Sequence, residues 1–182
     1  EPLCPGRFSA AALAAIRRDV GYLAWQAEYQ GTPRAPEGNS FRRGWFTVVD
    51  TPPPMLRRAR YWDRAATAGG GCATAGVLMG LDAEGQVYLL DVVRGQWAPG
   101  DRDRVMRQTA ELDGPGVDIW VEQEPGSAGV DAVAATARLL AGFKVSADRV
   151  TGSKDRRMEP LASQAQAGRV HLVRGAWNAA FV

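Results

Sequence analysis

The chain has 182 residues, about the length of one domain with a small appendage. It is 46% hydrophobic and 23% charged, an ordinary globular composition, and a formal charge of only +2 excludes a polybasic tail as its working part. Two cysteines (Cys4, Cys72) and one histidine (His171) exclude a disulfide framework, a cysteine-built zinc site and any Ser/His/Asp triad not based on His171.

The first predicted element is a helix. Ser9 suits its N-cap, and Leu13, Ile16, Val20, Leu23 and Ala27 recur at helical steps toward Gly31. The run from Gly31 to Ser40 is polar and turn-forming, and a short strand is expected over Trp45 to Val49. Pro52-Pro53-Pro54 then stops any regular element. A boundary is placed here: residues 1–54 are read as a lead-in and residues 55–182 as the compact unit. A strand runs from Leu56 to Asp63, and the stretches Thr74 to Leu81 and Gln86 to Val93 form a hairpin around Asp82-Ala83-Glu84-Gly85. Pro99 opens a helix, Val117 to Glu122 is a strand, and Val130 to Ala141 is a helix. A strand from Phe143 to Val150 follows, then a helix from Arg156 to Ala167 stopped by Gly168, and a last strand from Val170 to Val173. This order mixes an antiparallel start with parallel crossovers, so the class is α/β, a mixed sheet with helices on its faces. No apolar run approaches the ~18 residues of a membrane span. The opening Glu-Pro-Leu-Cys lacks the parts of a signal peptide, so an intracellular protein with no membrane partner is expected.

Asp63 and Glu122 carry the chemical expectation. Each ends a predicted strand, where open α/β sheets place their ligand crevices. Carboxylates at neighbouring strand ends repel unless a cation lies between them, and hard oxygen ligands suit Mg²⁺ or Mn²⁺. Two such ions about 3.5–4 Å apart can activate water and stabilise the leaving oxygen in phosphodiester hydrolysis. The plainer reading makes both acids solvated strand ends. Glu124 is a rival to Glu122, on the same strand parity but followed by the bend at Pro125-Gly126. The loop from Gln123 to Gly129 precedes a helix whose amides can face a phosphate, yet no Walker A motif occurs, so no ATPase site is expected. Lys154, Arg156 and Arg157 open a helix, either as grips on a phosphate backbone or as an exposed charged start. Asp91 is expected to cap or turn, with a further site acid as the alternative, the six tryptophans to lie in the core, and His171 to be structural.

The stretches RYWDRAAT, GVLMGLDAEGQVYLLDVVRGQWAPGDRDRVMRQTAE, IWVEQEPGSAG, TGSKDRRMEPLASQAQAG and VHLVRGAWNAAF, in this order, resemble the C-terminal nuclease domain of phage terminase large subunits. The resemblance covers about residues 55–182, and the N-terminal stretch PGRFSAAALAAIRRDVGYLAWQAEYQGTPRAPEGNSFRRGWF resembles the segment leading in from that family's ATPase domain. It implies an RNase H-like fold. It makes Asp63 the first metal-binding carboxylate and Glu122, or else Glu124, the second, with a third acid expected beyond Val182. The segment TAGGGCATAG departs from the family, which carries a more acidic, polar stretch there.

The function so implied is a two-metal, Mg²⁺- or Mn²⁺-dependent endonuclease cutting concatemeric double-stranded phage DNA during packaging. Lys154, Arg156 and Arg157 would hold the DNA. The implied partners are double-stranded DNA, the terminase ATPase domain, the small terminase subunit and the portal protein, in the host cytoplasm. Two alternatives stand beside it: a non-catalytic DNA-gripping module of the packaging motor, and another RNase H-like nuclease such as a resolvase or transposase core.

Overall fold

The computed structural model describes residues 9–20, 25–29, 41–64 and 73–181. The chain divides into two compact units, one drawn from residues 1–47 and 152–171, the other from 48–151 and 172–182. Seven strands form one sheet: β1 (Thr47–Val49), β2 (Arg57–Asp63), β3 (Thr74–Leu81), β4 (Val87–Gly95), β5 (Asp118–Gln123), β6 (Val145–Arg149) and β7 (Val170–Val173). Their order across the sheet is β1-β7-β4-β3-β2-β5-β6. The helices are α1 (Ala10–Val20), α2 (Pro99–Asp113), α3 (Ser127–Leu139), α4 (Lys154–Gln166) and the single turn α5 (Asn178–Phe181).

In the larger unit, β2, β3 and β4 are an antiparallel meander, while β5 runs parallel to β2 and β6 parallel to β5. The expected mixed sheet is present. The β3–β4 turn closes as the Asp-Ala-Glu-Gly signal requires: Asp82 Oδ1 accepts from the amides of Glu84 (3.0 Å) and Gln86 (2.7 Å). Parallel neighbours need a crossover, supplied between β5 and β6 by α3.

Strand alternation sets the core. Trp62, Ile119 and Val121 point to one face and join Met106 and Ala110 of α2 and Leu140 just after α3, all essentially removed from water. Burying side chains of this size contributes about 1.5–3 kcal/mol each. Arg60 shares that face and is 2% exposed, which only full pairing permits. Its Nε and one terminal nitrogen hold both oxygens of Asp113 at the end of α2 (2.8 and 2.7 Å). The same nitrogen reaches Asp91 (2.9 Å), and the other donates to the Gly76 carbonyl (3.1 Å). Asp91 therefore neither caps nor turns: it lies inside β4 and helps neutralise a buried guanidinium.

In the smaller unit, Ser9 caps α1 as its sequence suggests, its hydroxyl accepting from the Ala12 amide at 3.1 Å. Residues 21–24, on which the longer helix was expected to continue, lie outside the described residues; 25–29 form a π-helical turn. Ser153 caps α4 through the Arg156 amide (3.4 Å). The Pro-rich run at 52–54 is irregular as expected, and α3 begins three residues earlier than its periodicity suggests.

Candidate active site

The sheet places Asp63 and Glu122 together. Tyr61 pairs with Trp120 and Trp62 with Val121, so Asp63, the next residue, ends β2 at the level of Glu122 in the adjacent parallel strand. Alternation puts both acids on the face opposite the Trp62 core. Asp63 is exposed and Glu122 half-buried. Glu122 is in turn the register partner of Asp148 in β6, so three carboxylates step across the C-terminal ends of three parallel strands. Asp148 is fixed there by Tyr61, whose hydroxyl donates to Oδ2 at 2.9 Å.

Arg64, one residue past Asp63, turns to the other face. It donates to the Ala132 carbonyl (3.0 Å) and to Thr136 Oγ1 (2.5 Å), tying the end of β2 to α3. Burial lowers its pKa below the usual guanidinium value and Arg102 adds to that, while the carboxylates of Asp103 and Glu124 oppose it. Glu124 thus acts on Arg64 from beyond the strand. Its position follows from Gly129: a Cβ there would overlap the Glu124 carbonyl, so only glycine lets the first turn of α3 approach the loop so closely.

The remaining candidates fall elsewhere. Lys154, Arg156 and Arg157 open α4 in the smaller unit; the two arginines are exposed, and the Lys154 side chain lies outside the described residues. Of the tryptophans, Trp62 is core as expected, but Trp120 is 38% exposed on the carboxylate face. His171 is half-buried within β7. Residues 65–72, which hold most of the TAGGGCATAG segment, lie outside the described residues. Asp148 and Arg64 escaped the sequence reading. Asp148 stands next to last in β6, as Glu122 does in β5, and the strand expected from Phe143 to Val150 runs past it. Among the described residues, no group of three His, Cys, Asp or Glu side chains converges on one metal-sized point.

No protein-family model matches the chain, and no curated protein matches it. Among solved structures it is similar to the large terminase nuclease from thermophilic phage G20c with bound magnesium, at 11% identity and a TM-score of 0.53. That alignment covers 78% of this chain and 77% of the other. The same nuclease with bound zinc aligns at 12% identity and a TM-score of 0.48, over 73% of this chain and 79% of that one. The fowlpox virus Holliday junction resolvase aligns at 15% identity and a TM-score of 0.36, over 56% and 67%. With its mixed sheet of seven strands, the chain has an RNase H-like fold, that of a large terminase nuclease domain.

Proposed function

We propose that the chain is a divalent-metal-dependent endodeoxyribonuclease domain that cuts concatemeric double-stranded viral DNA during genome packaging. One observation carries the reading: Asp63 and Glu122 stand side by side at the C-terminal ends of parallel β2 and β5, on the face away from the core. The fold likeness to a terminase nuclease with bound magnesium supports it. In this reading residues 55–182 are the nuclease domain and residues 1–54 its lead-in from an ATPase domain. The small terminase subunit and the portal are partners in the host cytoplasm.

The donor set fits Mg²⁺ or Mn²⁺. These hard cations keep several waters and need only one or two protein carboxylates, the rest of the shell coming from water and substrate phosphate oxygens. Asp63 and Glu122 would hold the metal, whose chemistry when bound would be activation of a water and stabilisation of the leaving oxygen. The chain's own residues do the rest. Asp63 is exposed at its strand end, within reach of a substrate. Arg64 fixes the backbone beneath it through α3. Glu122 is anchored mid-sheet between β2 and β6. Lys154, Arg156 and Arg157 grip the backbone, and phosphate contacts of this kind carry no sequence preference.

Nicking of supercoiled plasmid in Mn²⁺ tests the proposal, using the chain within its full-length protein. Asp63→Asn and Glu122→Gln should each lose about 100-fold or more in rate, the scale set by removing one electrostatic stabiliser from a reacting centre. Chelation should abolish cutting. An Asp63→Asn protein that nicks as fast as its parent refutes the assignment. A second reading, a DNA-gripping module that does not cut, is favoured by the exposed Arg156 and Arg157 at the start of α4. It predicts salt-sensitive DNA binding with no metal-dependent nicking.

A further inference from the structure

We infer that the smaller unit carries a second phosphodiester-backbone site, an arginine-lined cleft between α1 and the C-terminal end of α4. The inference takes its polyanion, DNA, from the nuclease reading. The cleft has a volume of about 450 Å³ and is lined by Arg17, Arg18, Ser163, Gln164, Gln166 and Arg169. None of these is among the residues proposed above to hold DNA.

Local structure builds it. α4 ends in a paired turn: Gly168, with φ +71°, donates its amide to the Ala165 carbonyl (2.9 Å), and Arg169 donates to the Gln164 carbonyl (3.0 Å). This is the Schellman arrangement, which requires the left-handed residue that Gly168 supplies, and it swings Arg169 back beside the helix end. Gln164 Nε2 then donates to the Arg18 carbonyl at 3.1 Å, locking the last described turn of α1 against α4. Three guanidinia thereby share one cleft.

Charge decides what the cleft can hold. Five arginines elsewhere in the chain, Arg60, Arg102, Arg104, Arg107 and Arg174, are bridged to carboxylates. Among the described residues no carboxylate bridges Arg17, Arg18 or Arg169. The helix end at α4 offers a negative dipole of about half an elementary charge, which three guanidinia outweigh about sixfold. Planar guanidinium forks match phosphate oxygens in pairs, and the exposed Gln166 adds a neutral amide on the same wall. A phosphodiester backbone supplies the several phosphates that three guanidinia in one cleft can pair.

The test is binding of a labelled DNA duplex by the full chain in EDTA, over a salt series. Combined Arg17→Ala, Arg18→Ala and Arg169→Ala should weaken binding about tenfold or more near physiological salt, and flatten the log–log salt slope by about 2–3. A control lacking Arg57, Arg58 and Arg138, all exposed, loses the same charge and should change the slope far less. Equal effects in the two triple variants, or none in the first, overturn the site. If the alanine triple is unfolded by circular dichroism, Arg17→Gln with Arg18→Gln leaves α4 untouched and should give about two-thirds of the slope change. Polyglutamate or inorganic phosphate displacing the duplex as well as unlabelled DNA, at matched ionic strength, would also overturn it. A parent that binds through the cleft but never nicks in Mn²⁺ refutes only the nuclease reading. A parent that nicks while the triple variant binds as tightly refutes only the cleft.

Discussion

Tyr61 and Asp148 are joined across β5: the Tyr61 hydroxyl reaches over that strand, about 10 Å of sheet, to donate to the Asp148 carboxylate at 2.9 Å. Because Asp148 is the register partner of Glu122, this bond fixes a carboxylate beside the proposed metal ligand. Tyr61→Phe keeps the ring and removes only the donor. Hydrogen bonds to charged acceptors contribute about 1.5–3 kcal/mol, and half-burial of both partners puts the expected loss at the low end. Urea unfolding should show it as a lower midpoint at unchanged slope. An unchanged midpoint would mean that water replaces the phenol at no cost.

The Arg60 network yields an asymmetric prediction. Asp113 is 8% exposed at its side chain and Asp91 40%, though both pair with the same buried nitrogen. Removing Asp113 strands a guanidinium in the core, so Asp113→Asn should cost about 3–5 kcal/mol. Asp91→Asn removes a partner that solvent already screens and should cost about 1 kcal/mol or less. Equal losses in denaturant titrations would show that the two carboxylates act as one unit. Arg60→Met should be milder than Asp113→Asn if the neighbouring carboxylates can turn toward solvent.

Much of this arrangement was legible beforehand. Asp63 and Glu122 each follow an apolar strand pattern, and period-two alternation suffices to put an acid at the strand end. The order of elements implied the mixed sheet. Other features depended on facts no local pattern holds. Arg60 reads as one more arginine in LRRARYWD until the pairing of β2, β3 and β4 brings Asp91 and Asp113 to it. Glu124 and Glu122 share parity in the sequence; only the close approach of Gly129 shows that the chain has already left the strand. The cleft at Arg17, Arg18 and Arg169 joins residues about 150 positions apart, which only tertiary packing can do.

Alkaline stability should depend on Tyr88. Its burial, followed by the nearby Asp82 carboxylate and the hydrogen bond to it, raises its pKa above the usual phenol value of 10.0. Below pH 10 the phenol is protonated in both folded and unfolded chains, and its contribution is fully present. Above pH 10 the unfolded chain releases this proton first and so binds fewer protons than the folded one. Stability therefore falls as pH rises from the unfolded toward the folded pKa. Tyr88→Phe should flatten this limb of the stability curve without altering its shape near neutrality. Ultraviolet titration should show one tyrosine ionising above the usual phenol value, and that step should vanish in Tyr88→Phe. An identical alkaline limb in the Phe variant would remove Tyr88 as its cause.

The choice between Glu122 and Glu124 turns on Gly129. A methyl group at 129 would press on the backbone carbonyl of Glu124, which cannot rotate away, so the β5–α3 loop must move. Overpacking of this kind costs about 1–3 kcal/mol, and Gly129→Ala should also slow plasmid nicking because Glu122 lies only two residues before the displaced carbonyl. Glu124→Gln should leave nicking within about threefold of the parent, since Glu124 lies beyond the end of β5 while Glu122 stands within it at the level of Asp63. Glu122→Gln should abolish it. The reverse pattern, with nicking lost in Glu124→Gln and kept in Glu122→Gln, would move the metal to the loop and make Gly129 part of the site's geometry.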